Sequence, residues 1–171
     1  MTEIRLLARG DVDELFALRL ANSAFLAPWE PTPPADGYTI NGARAAVDGL
    51  ITGYENGSLL PFVIVEGDRI VGRITISNIA RGPLQSGVIG YWVAEPDIGR
   101  GHATAAVGAM CRFAFDDAGL HRIEAGTLVH NHASQHVLEH NGFERYGLAR
   151  EYLQIGGRWQ DHVLFEKLAP S

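Results

Sequence analysis

The chain has 171 residues, a length that suits one domain with a substantial core, and its 46% hydrophobic and 20% charged residues are ordinary for a soluble globular protein. A formal net charge of −6 makes a general electrostatic attraction to nucleic acid unfavourable and a basic substrate easier to accommodate. No apolar run approaches the roughly 20 residues that cross a membrane, so we expect no contact with one.

The N-terminal sequence and the cysteine content bear on the compartment. Residues 1–7 contain an early glutamate and no long apolar core, unlike a secretory signal peptide. Cys111 is the single cysteine, so no internal disulfide can form, which fits a reducing environment. We therefore expect a cytoplasmic protein.

The chain begins with signals for a strand and a helix. Apolar residues alternate over residues 4–8, which predicts a short strand. Asp11 can cap the helix that follows, with Glu14 completing a capping box. Helical spacing of apolar residues then continues to about Phe25.

A proline-rich loop separates this helix from the next elements. Residues 27–34 contain four prolines and cannot form regular structure, whereas residues 39–54 predict a second helix that contains three glycines. Two β-rich runs, residues 59–65 and 69–77, are joined by a Glu-Gly-Asp turn and predict a hairpin.

A strand, a glycine turn and an Ala-rich helix follow. Residues 88–94 predict the strand, Pro96 ends it, and the turn at residues 99–103 leads into a helix from Gly101 to Ala118. Free amides at a helix N-terminus attract anions, so this turn predicts a diphosphate site. A purely structural tight turn is the alternative.

The last part of the chain predicts a strand, a helix and a closing pair of strands. Residues 121–129 form the first strand, and Asn131 caps a helix that extends to about His140. Residues 143–155 and 159–167 form the pair, around two glycines. The predicted order is β-α-α-β-β-β-α-β-α-β-β, and hairpins at both ends favour a mixed sheet.

This order, with a glycine turn after the fourth strand, resembles the GNAT (GCN5-related) N-acetyltransferases and, within them, the RimJ/RimL branch of ribosomal-protein alanine N-acetyltransferases. The resemblance covers nearly the whole chain. Its residues are Leu26–Pro31, Gly90–Val93, Gly99–Gly101, His121–Arg122, His130–Asn131, Ser134, Asn141–Phe143, Glu151–Leu153 and Gly157–Val163.

The resemblance implies an α+β (mixed α/β) fold in one domain spanning residues 1–171, with a mostly antiparallel sheet of about seven strands and about four helices. It also implies acetyl-CoA as the acetyl donor. The fourth strand then pairs with the pantetheine arm, and the glycine turn holds the diphosphate. The implied cofactor-binding residues are Trp92, Val93, Ile98, Gly99, Arg100, Gly101, His102, Ala103, Thr104, Asn131 and Ser134. Ile98 departs from the family pattern, which has Gln or Arg there.

Two residues are candidates for the chemistry. Glu151 stands where related enzymes carry a carboxylate, which implies a proton acceptor acting through water; a solvated strand carboxylate is the alternative. Ser134 lies on the first turn of its helix, where its hydroxyl can protonate the departing thiolate or only bond the helix backbone.

Four further residues are predicted to shape the acceptor mouth. By resemblance, Trp29 and Glu30 line it, with Glu30 attracting a cationic N-terminus, and Tyr152 and Trp159 border it. Packing of the loop or of the core is the alternative for each aromatic residue.

Two signals carry no function. His132, His136 and His140 share one helix stripe, but without a completing carboxylate or cysteine set we predict a solvated or packing stripe and no metal. Cys111 lies among apolar helix residues, which indicates a buried side chain and direct transfer without an acyl-cysteine.

The resemblance and the acidic, Trp-bearing loop thus predict an N-acetyltransferase for a protein N-terminal amine, with an alanine of a ribosomal protein as the expected acceptor. Acetylation of a small amine, such as a polyamine, an amino acid or an antibiotic, is the second hypothesis. A non-catalytic acyl-CoA-binding module is the third. A homodimer is possible by resemblance alone.

Overall fold

The structure is a computed structural model that describes residues 1–170. Its strands are β1 (Thr2–Leu6), β2 (Leu60–Glu66), β3 (Arg69–Ala80), β4 (Ser86–Val93), β5 (Arg122–Leu128), β6 (Glu144–Ile155) and β7 (Arg158–Leu168). Its α-helices are α1 (Val12–Ala21), α2 (Ser23–Leu26), α3 (Ile40–Glu55), α4 (His102–Arg112) and α5 (His132–His140). The predicted order of elements is confirmed, with one short helix, α2, added.

The strands lie in the order β1-β2-β3-β4-β5-β7-β6, and every neighbouring pair except β4 and β5 is antiparallel. The parallel pair is joined only along Ser86–Val88 and Arg122–Glu124, although both strands continue beyond these residues. The backbone of Gly90–Val93 therefore has no partner strand on its β5 side, and the sheet opens there.

Each face of the sheet buries a hydrophobic layer. The layer under α4 and α5 includes Ile74, Met110, Ile123, Leu138 and Phe165. The layer under α1 and α3 includes Leu15, Val47, Val63, Ile70 and Trp92. Because full burial of such a side chain contributes about 1.5–3 kcal/mol, the two layers hold the helices firmly on either side of the opening.

The start of α1 differs from the predicted capping box. The Asp11 carboxylate accepts a hydrogen bond from the Ala8 backbone N–H at 2.8 Å and pairs with both terminal nitrogens of Arg5. The Glu14 carboxylate accepts a hydrogen bond from the Ile70 backbone N–H at 2.7 Å. The capping-box prediction is wrong because both carboxylates have tertiary partners, which attach the helix to the sheet.

The first predicted helix is interrupted at Asn22. The amide nitrogen of its side chain donates to the Leu18 carbonyl, and the side-chain oxygen accepts from the Glu95 backbone N–H, both at 2.8 Å. Asn side chains of this kind compete with helix hydrogen bonds, so α1 ends and α2 begins as a separate turn. The bond to Glu95 ties this break to the segment after β4.

The capping prediction for α5 is confirmed, and α3 has a cap that was not predicted. Thr39 caps α3 through its hydroxyl, which accepts from the Gly42 N–H at 3.0 Å. Asn131 caps α5 through its side-chain oxygen, which accepts from the Ser134 N–H at 3.2 Å. Both predicted hairpins are present as well.

The Ala-rich helix is α-helical for a shorter stretch than predicted. After α4, Phe113–Asp117 form a π-helical turn, closed by a bond from the Ala118 N–H to the Phe113 carbonyl at 2.9 Å. The Phe113 ring lies 5.0 Å from the Phe62 ring, centroid to centroid. The wider turn thus accompanies aromatic packing against β2 before the chain reverses at Gly119.

Candidate active site

A cavity of about 460 Å³ occupies the opening between β4 and β5. Its polar lining residues are Glu30, Arg73, Thr75, Ser77, Tyr91, Thr127, Asn131, Ser134 and His162. The structure thereby brings together five residues predicted from the sequence, namely Trp29, Glu30, Trp92, Asn131 and Ser134. Several polar groups converging in one concave site are typical of a binding or catalytic centre.

Two hydroxyl groups meet at one wall of this cavity. The Tyr91 hydroxyl lies 2.8 Å from the Ser134 hydroxyl and donates to the Ser134 backbone carbonyl at 3.2 Å. Burial raises the pKa of Tyr91 to about 12, and the bond to Ser134 opposes that rise. Tyr91 is therefore a proton-bearing donor at neutral pH, and sequence reasoning had assigned it no role.

Three buried polar atoms around the cavity lack a hydrogen-bond partner within residues 1–170. They are the Thr75 hydroxyl, the Trp92 indole nitrogen and the Thr127 hydroxyl, and all three residues line the cavity. Buried polar groups are nearly always satisfied, because leaving one unsatisfied costs about 1–3 kcal/mol. These atoms fit a cavity that takes a polar ligand.

The glycine turn lies at the N-terminus of α4, as predicted. Gly99 and Gly101 have φ angles of +72° and +83°, a left-handed conformation that side-chain-bearing residues rarely adopt. No side chain caps α4, and a Cβ added at either glycine would meet nothing within 4 Å. The first amides of the helix thus stay free for an anion, with open space beside the turn.

An ion-pair network connects this turn to the β2–β3 hairpin. Arg69 binds Asp97 through two hydrogen bonds of 2.7 and 2.8 Å, and Arg100 reaches both Asp97 and Glu66. The Arg69 guanidinium holds the pKa of Asp97 below its usual value despite burial. Arg100, predicted to contact the cofactor, therefore has its guanidinium engaged by carboxylates.

The same network includes His102, the first residue of α4. Its Nδ1 lies 2.8 Å from the Thr2 hydroxyl, and its Nε2 lies 3.8 Å from a Glu66 oxygen. Glu66, Asp97 and His102 together have metal-ligand spacing. Because two arginines already balance the two carboxylates, we interpret the cluster as structural. The neighbouring Ile98 is half-exposed.

The acceptor side of the cavity carries three charged residues. The Glu30 carboxylate is bound through both oxygens by Arg19, with nitrogen–oxygen distances of 3.1 and 2.5 Å. The Arg19 guanidinium also lies 5.7 Å from the Trp92 ring centre. Glu30 thus lines the predicted mouth, but its charge is already paired. Arg73 lies nearby on β3, and burial, followed by the charge of Arg19, lowers its pKa.

A buried histidine, His162 of β7, also lines the cavity. Its Nδ1 lies 3.0 Å from the Gln160 backbone carbonyl, which can only accept, so Nδ1 carries the proton. In the neutral ring, Nε2 is then a hydrogen-bond acceptor, and it makes no bond to the rest of residues 1–170. Sequence reasoning missed this residue; it lies within the Gly157–Val163 segment that carries the family resemblance.

Of the residues predicted for the chemistry and the acceptor mouth, three lie outside the cavity lining. Glu151 is exposed in a bulge of β6 with a φ of +47°, and its N–H donates to the Asp161 carboxylate at 2.8 Å. Tyr152 lies edge-on to His162, with ring centres 5.5 Å apart. Trp159 is 62% exposed. By contrast, Trp29 is at the mouth.

The residues that the sequence analysis set aside are placed as follows. The imidazole of His136 is 83% exposed and lies 3.7 Å from the Glu139 carboxylate on the same helix. Cys111 is buried in the core, as predicted, and burial raises the pKa of its thiol to about 11. A thiol in this state is a poor nucleophile.

The comparison with known families decides the identity. The model of the acetyltransferase (GNAT) domain matches residues 2–144 of the chain. The chain belongs to the GNAT acetyltransferases. The fold and family predicted from the sequence are thereby confirmed, and this GNAT protein is an N-acetyltransferase of the RimJ/RimL kind.

Three similar proteins support the family assignment of this GNAT protein. The probable N-acetyltransferase YjcK of Bacillus subtilis is 34% identical, over 98% of this chain and 94% of the relative. The [ribosomal protein uS5]-alanine N-acetyltransferase of Escherichia coli is 31% identical, over 98% of this chain and 88% of the relative. The structure of Mycobacterium smegmatis RimJ in complex with CoA-disulfide matches with a TM-score of 0.94 and 37% identity, over 98% and 82%. Across residues 1–170, this GNAT protein has no helix with the length and apolar character of a membrane span.

Proposed function

We propose that this enzyme transfers the acetyl group of acetyl-CoA to the N-terminal α-amine of a protein, and that an alanine at the N-terminus of a ribosomal protein is its acceptor. The observation that carries the proposal is the length of the cleft. Leu26 and Glu30 line both the central cavity and a second one of about 320 Å³. The proline-rich loop and the β6–β7 turn at Gly156 border this second cavity.

A cleft of two adjoining cavities suits a peptide better than a small amine. The amine occupies the end near Tyr91 and Ser134, and the following residues of the acceptor extend past Glu30 beneath the prolines. The Escherichia coli relative, whose name specifies an alanine of a ribosomal protein, supports the same class of acceptor.

Two features of the backbone support binding of the donor. The β5-facing edge of Gly90–Val93 is unpaired, so its N–H and C=O groups are available to the amides of a pantetheine arm. The turn at Gly99–Gly101 and the first amides of α4 are available to a diphosphate. Bound acetyl-CoA supplies a reactive thioester, and the remaining tasks fall to the protein.

Little base strength is needed for an α-amine. Its pKa is near 7.8, so about a seventh is neutral at pH 7, against roughly one in 2,500 for a lysine amine. The enzyme gains most by holding the neutral amine next to the thioester and by excluding water. The walls formed by Ile89, Leu128 and Leu138 provide such an apolar setting.

His162 takes the proton that the amine loses during attack. Its Nε2 is the free acceptor of a ring whose other nitrogen is held by the Gln160 carbonyl, and the residue lines the cavity. Glu151 remains the base predicted from the family resemblance; it would need water to reach the amine from its bulge on β6. The two assignments predict different effects of substituting His162 and Glu151 on turnover at pH 7 and pH 9.

Tyr91 and Ser134 receive the departing thiolate. When Tyr91 donates its proton to the two Ser134 oxygens, the Ser134 hydroxyl keeps its own proton free to reach the sulfur. The pKa of Tyr91, about 12, lies above that of an ordinary thiol near 8.5, so hydrogen bonding stabilises the thiolate and water completes its protonation. The nitrogen–carbon bond forms and the carbon–sulfur bond breaks within one ternary complex.

Release of CoA from acetyl-CoA tests the proposal against paired acceptors, a basic peptide beginning with alanine and spermidine. We expect turnover on the peptide, with mass spectrometry placing the acetyl group on the α-amine. Turnover on spermidine alone would overturn the proposal in favour of small-amine acetylation. A protein that binds CoA but acetylates none of these acceptors, and no peptide beginning with serine or threonine, would instead be a binding module.

A further inference from the structure

Arg73 brings an uncompensated positive charge to the acceptor end of the cavity. It lies on β3 opposite Trp92 of β4, and it lines the cavity. Within residues 1–170 its guanidinium makes no hydrogen bond or ion pair, whereas the neighbouring Arg19 is held by Glu30. Because the Arg19–Glu30 pair is balanced internally, the charge of Arg73 is left over.

No other group of the lining supplies a counter-ion. Among the described residues that line the cavity, Glu30 and Arg73 are the only ones with a carboxylate or a fixed positive charge. The nearby Glu30 raises the pKa of Arg73, but burial and the positive charge of Arg19 act in the opposite sense and prevail. Arg73 is thus a half-buried donor without a protein partner among the described residues.

Two neutral groups beside Arg73 also lack a hydrogen-bond partner among the described residues. The Trp92 indole nitrogen and the Thr75 hydroxyl are buried without a partner, and both residues line the cavity. Thr75 follows Arg73 by two residues on β3, so the two side chains lie on the same face of the sheet. Guanidinium and indole groups can only donate, so this corner is complementary to an oxygen acceptor.

We propose that Arg73, together with Trp92 and Thr75, binds the oxygen of a carbonyl group adjacent to the acceptor amine and thereby selects α-amino acyl acceptors. In a peptide, this is the carbonyl of the first residue, separated from the amine nitrogen by a single carbon. The inference rests on the proposed function and adds the group by which the acceptor is recognised.

The same arrangement disfavours polyamines. A polyamine carries no oxygen to satisfy the three donors, and its additional ammonium groups are repelled by the unpaired charge of Arg73. The cavity therefore distinguishes an α-amine beside a carbonyl from an amine beside a methylene group, although both can attack a thioester.

A matched pair of small acceptors isolates this recognition. L-alaninamide and isopropylamine differ in that a carboxamide replaces a methyl group, and rates are compared after correction for the fraction of neutral amine at each pH. The variants are Arg73→Met, which retains length without charge, and Arg73→Lys, which retains charge without the planar fork. Arg44→Met on exposed α3 is the control, because Arg44 lies outside both cavities.

For the wild-type enzyme we expect kcat/KM on alaninamide to exceed that on isopropylamine at least tenfold. In Arg73→Met, the value for alaninamide falls about 10- to 100-fold, mainly through KM, because a charge-assisted hydrogen bond is lost. The value for isopropylamine stays the same or rises, and Arg73→Lys recovers part of the loss. A purely structural role of Arg73 would instead lower both values together.

Calorimetric titration with CoA provides a readout independent of turnover. We expect Arg73→Met and Arg44→Met to bind CoA as the wild type does, which also shows that both variants fold. If the wild type acetylates the alanine peptide and Arg73→Met does so equally well, the inference is wrong and the proposed function stands. If the wild type acetylates spermidine alone, the proposed function fails as well.

Discussion

The hydroxyl groups of Tyr91 and Ser134 lie 2.8 Å apart where β4 faces the first turn of α5. Tyr91 is half-buried on an internal strand, and Ser134 is held by the cap that Asn131 forms. Two elements on opposite sides of the opening therefore fix one donor pair, which predicts that the two residues act as a unit.

Removing either hydroxyl should lower kcat with little effect on KM. We expect Tyr91→Phe and Ser134→Ala each to reduce kcat by about 100-fold, because the leaving thiolate loses its donor. The kcat of the double variant should be only slightly lower than the kcat of the less active single variant. Steady-state kinetics at saturating acetyl-CoA measures this, with Tyr54→Phe on exposed α3 as control. Multiplying losses would show that the two hydroxyls act independently.

The identity of the base can be determined from pH dependence. We expect His162→Gln to lower turnover on an alanine peptide about 100-fold at pH 7 and much less at pH 9, where the amine is already neutral. Glu151→Gln should change turnover by less than about threefold at both pH values, since its side chain is exposed outside the cavity. The opposite pattern would assign the base role to Glu151, and equal losses at both pH values would remove it from either residue.

The glycine turn predicts a separable effect on donor binding. Gly101→Ala forces a side chain into a left-handed conformation, at a cost of about 1–2 kcal/mol. Gly82→Ala carries the same cost in a distant turn, and neither added Cβ meets an atom within 4 Å. Thermal unfolding should therefore shift similarly in both variants, while calorimetry should show at least tenfold weaker CoA binding in Gly101→Ala alone. Equal affinities in the two variants would exclude the turn from the donor site.

Asp97 should make stability depend on pH in the acid range. Its pKa is lowered in the folded state, chiefly by Arg69, so its stabilising contribution is present above the unfolded pKa near 3.9. That contribution is lost as pH falls through the lower folded value. Asp97→Asn should cost about 1–2 kcal/mol at pH 7, because Arg69 and Arg100 lose their buried partner, although both are half-exposed and keep their pairs with Glu66.

Urea unfolding at pH 7 and at pH 3 measures the contribution of Asp97 to stability. The difference in the free energy of unfolding between wild type and Asp97→Asn should be smaller at pH 3. Asp48→Asn is the control, since its pair with Arg9 is exposed and contributes little. A difference that stayed constant between the two pH values would contradict the assignment of the shift to Asp97.

The fold could be predicted because its signals are local. Alternation of apolar residues, the cap at Asn131, and the glycine turn each specify structure within a few residues. The capping box at Asp11 and Glu14 failed because Asp11 pairs with Arg5 of β1 and Glu14 binds a backbone group of β3 that is distant in sequence.

The site was predictable only in part for the same reason. The proposed binding role of Arg73 depends on Trp92, its neighbour across the strand pair, and on the ion pair that Arg19 forms with Glu30. Neither contact can be inferred from the spacing of residues in the sequence. One signal was present: Arg73 and Thr75 alternate with apolar isoleucines in a strand that otherwise reads as buried. Polar residues in such a pattern indicate that one face of an antiparallel strand meets solvent or a polar cavity.

The burial of Cys111 has a practical consequence for every kinetic measurement on this enzyme. As the only cysteine, it lies within the core with its thiol pKa raised to about 11, so almost none of it is thiolate at assay pH. The thiol of the native enzyme is therefore expected not to react with aromatic disulfide reagents. Colour developed in a continuous assay then reports released CoA alone, and slow background colour reports unfolding.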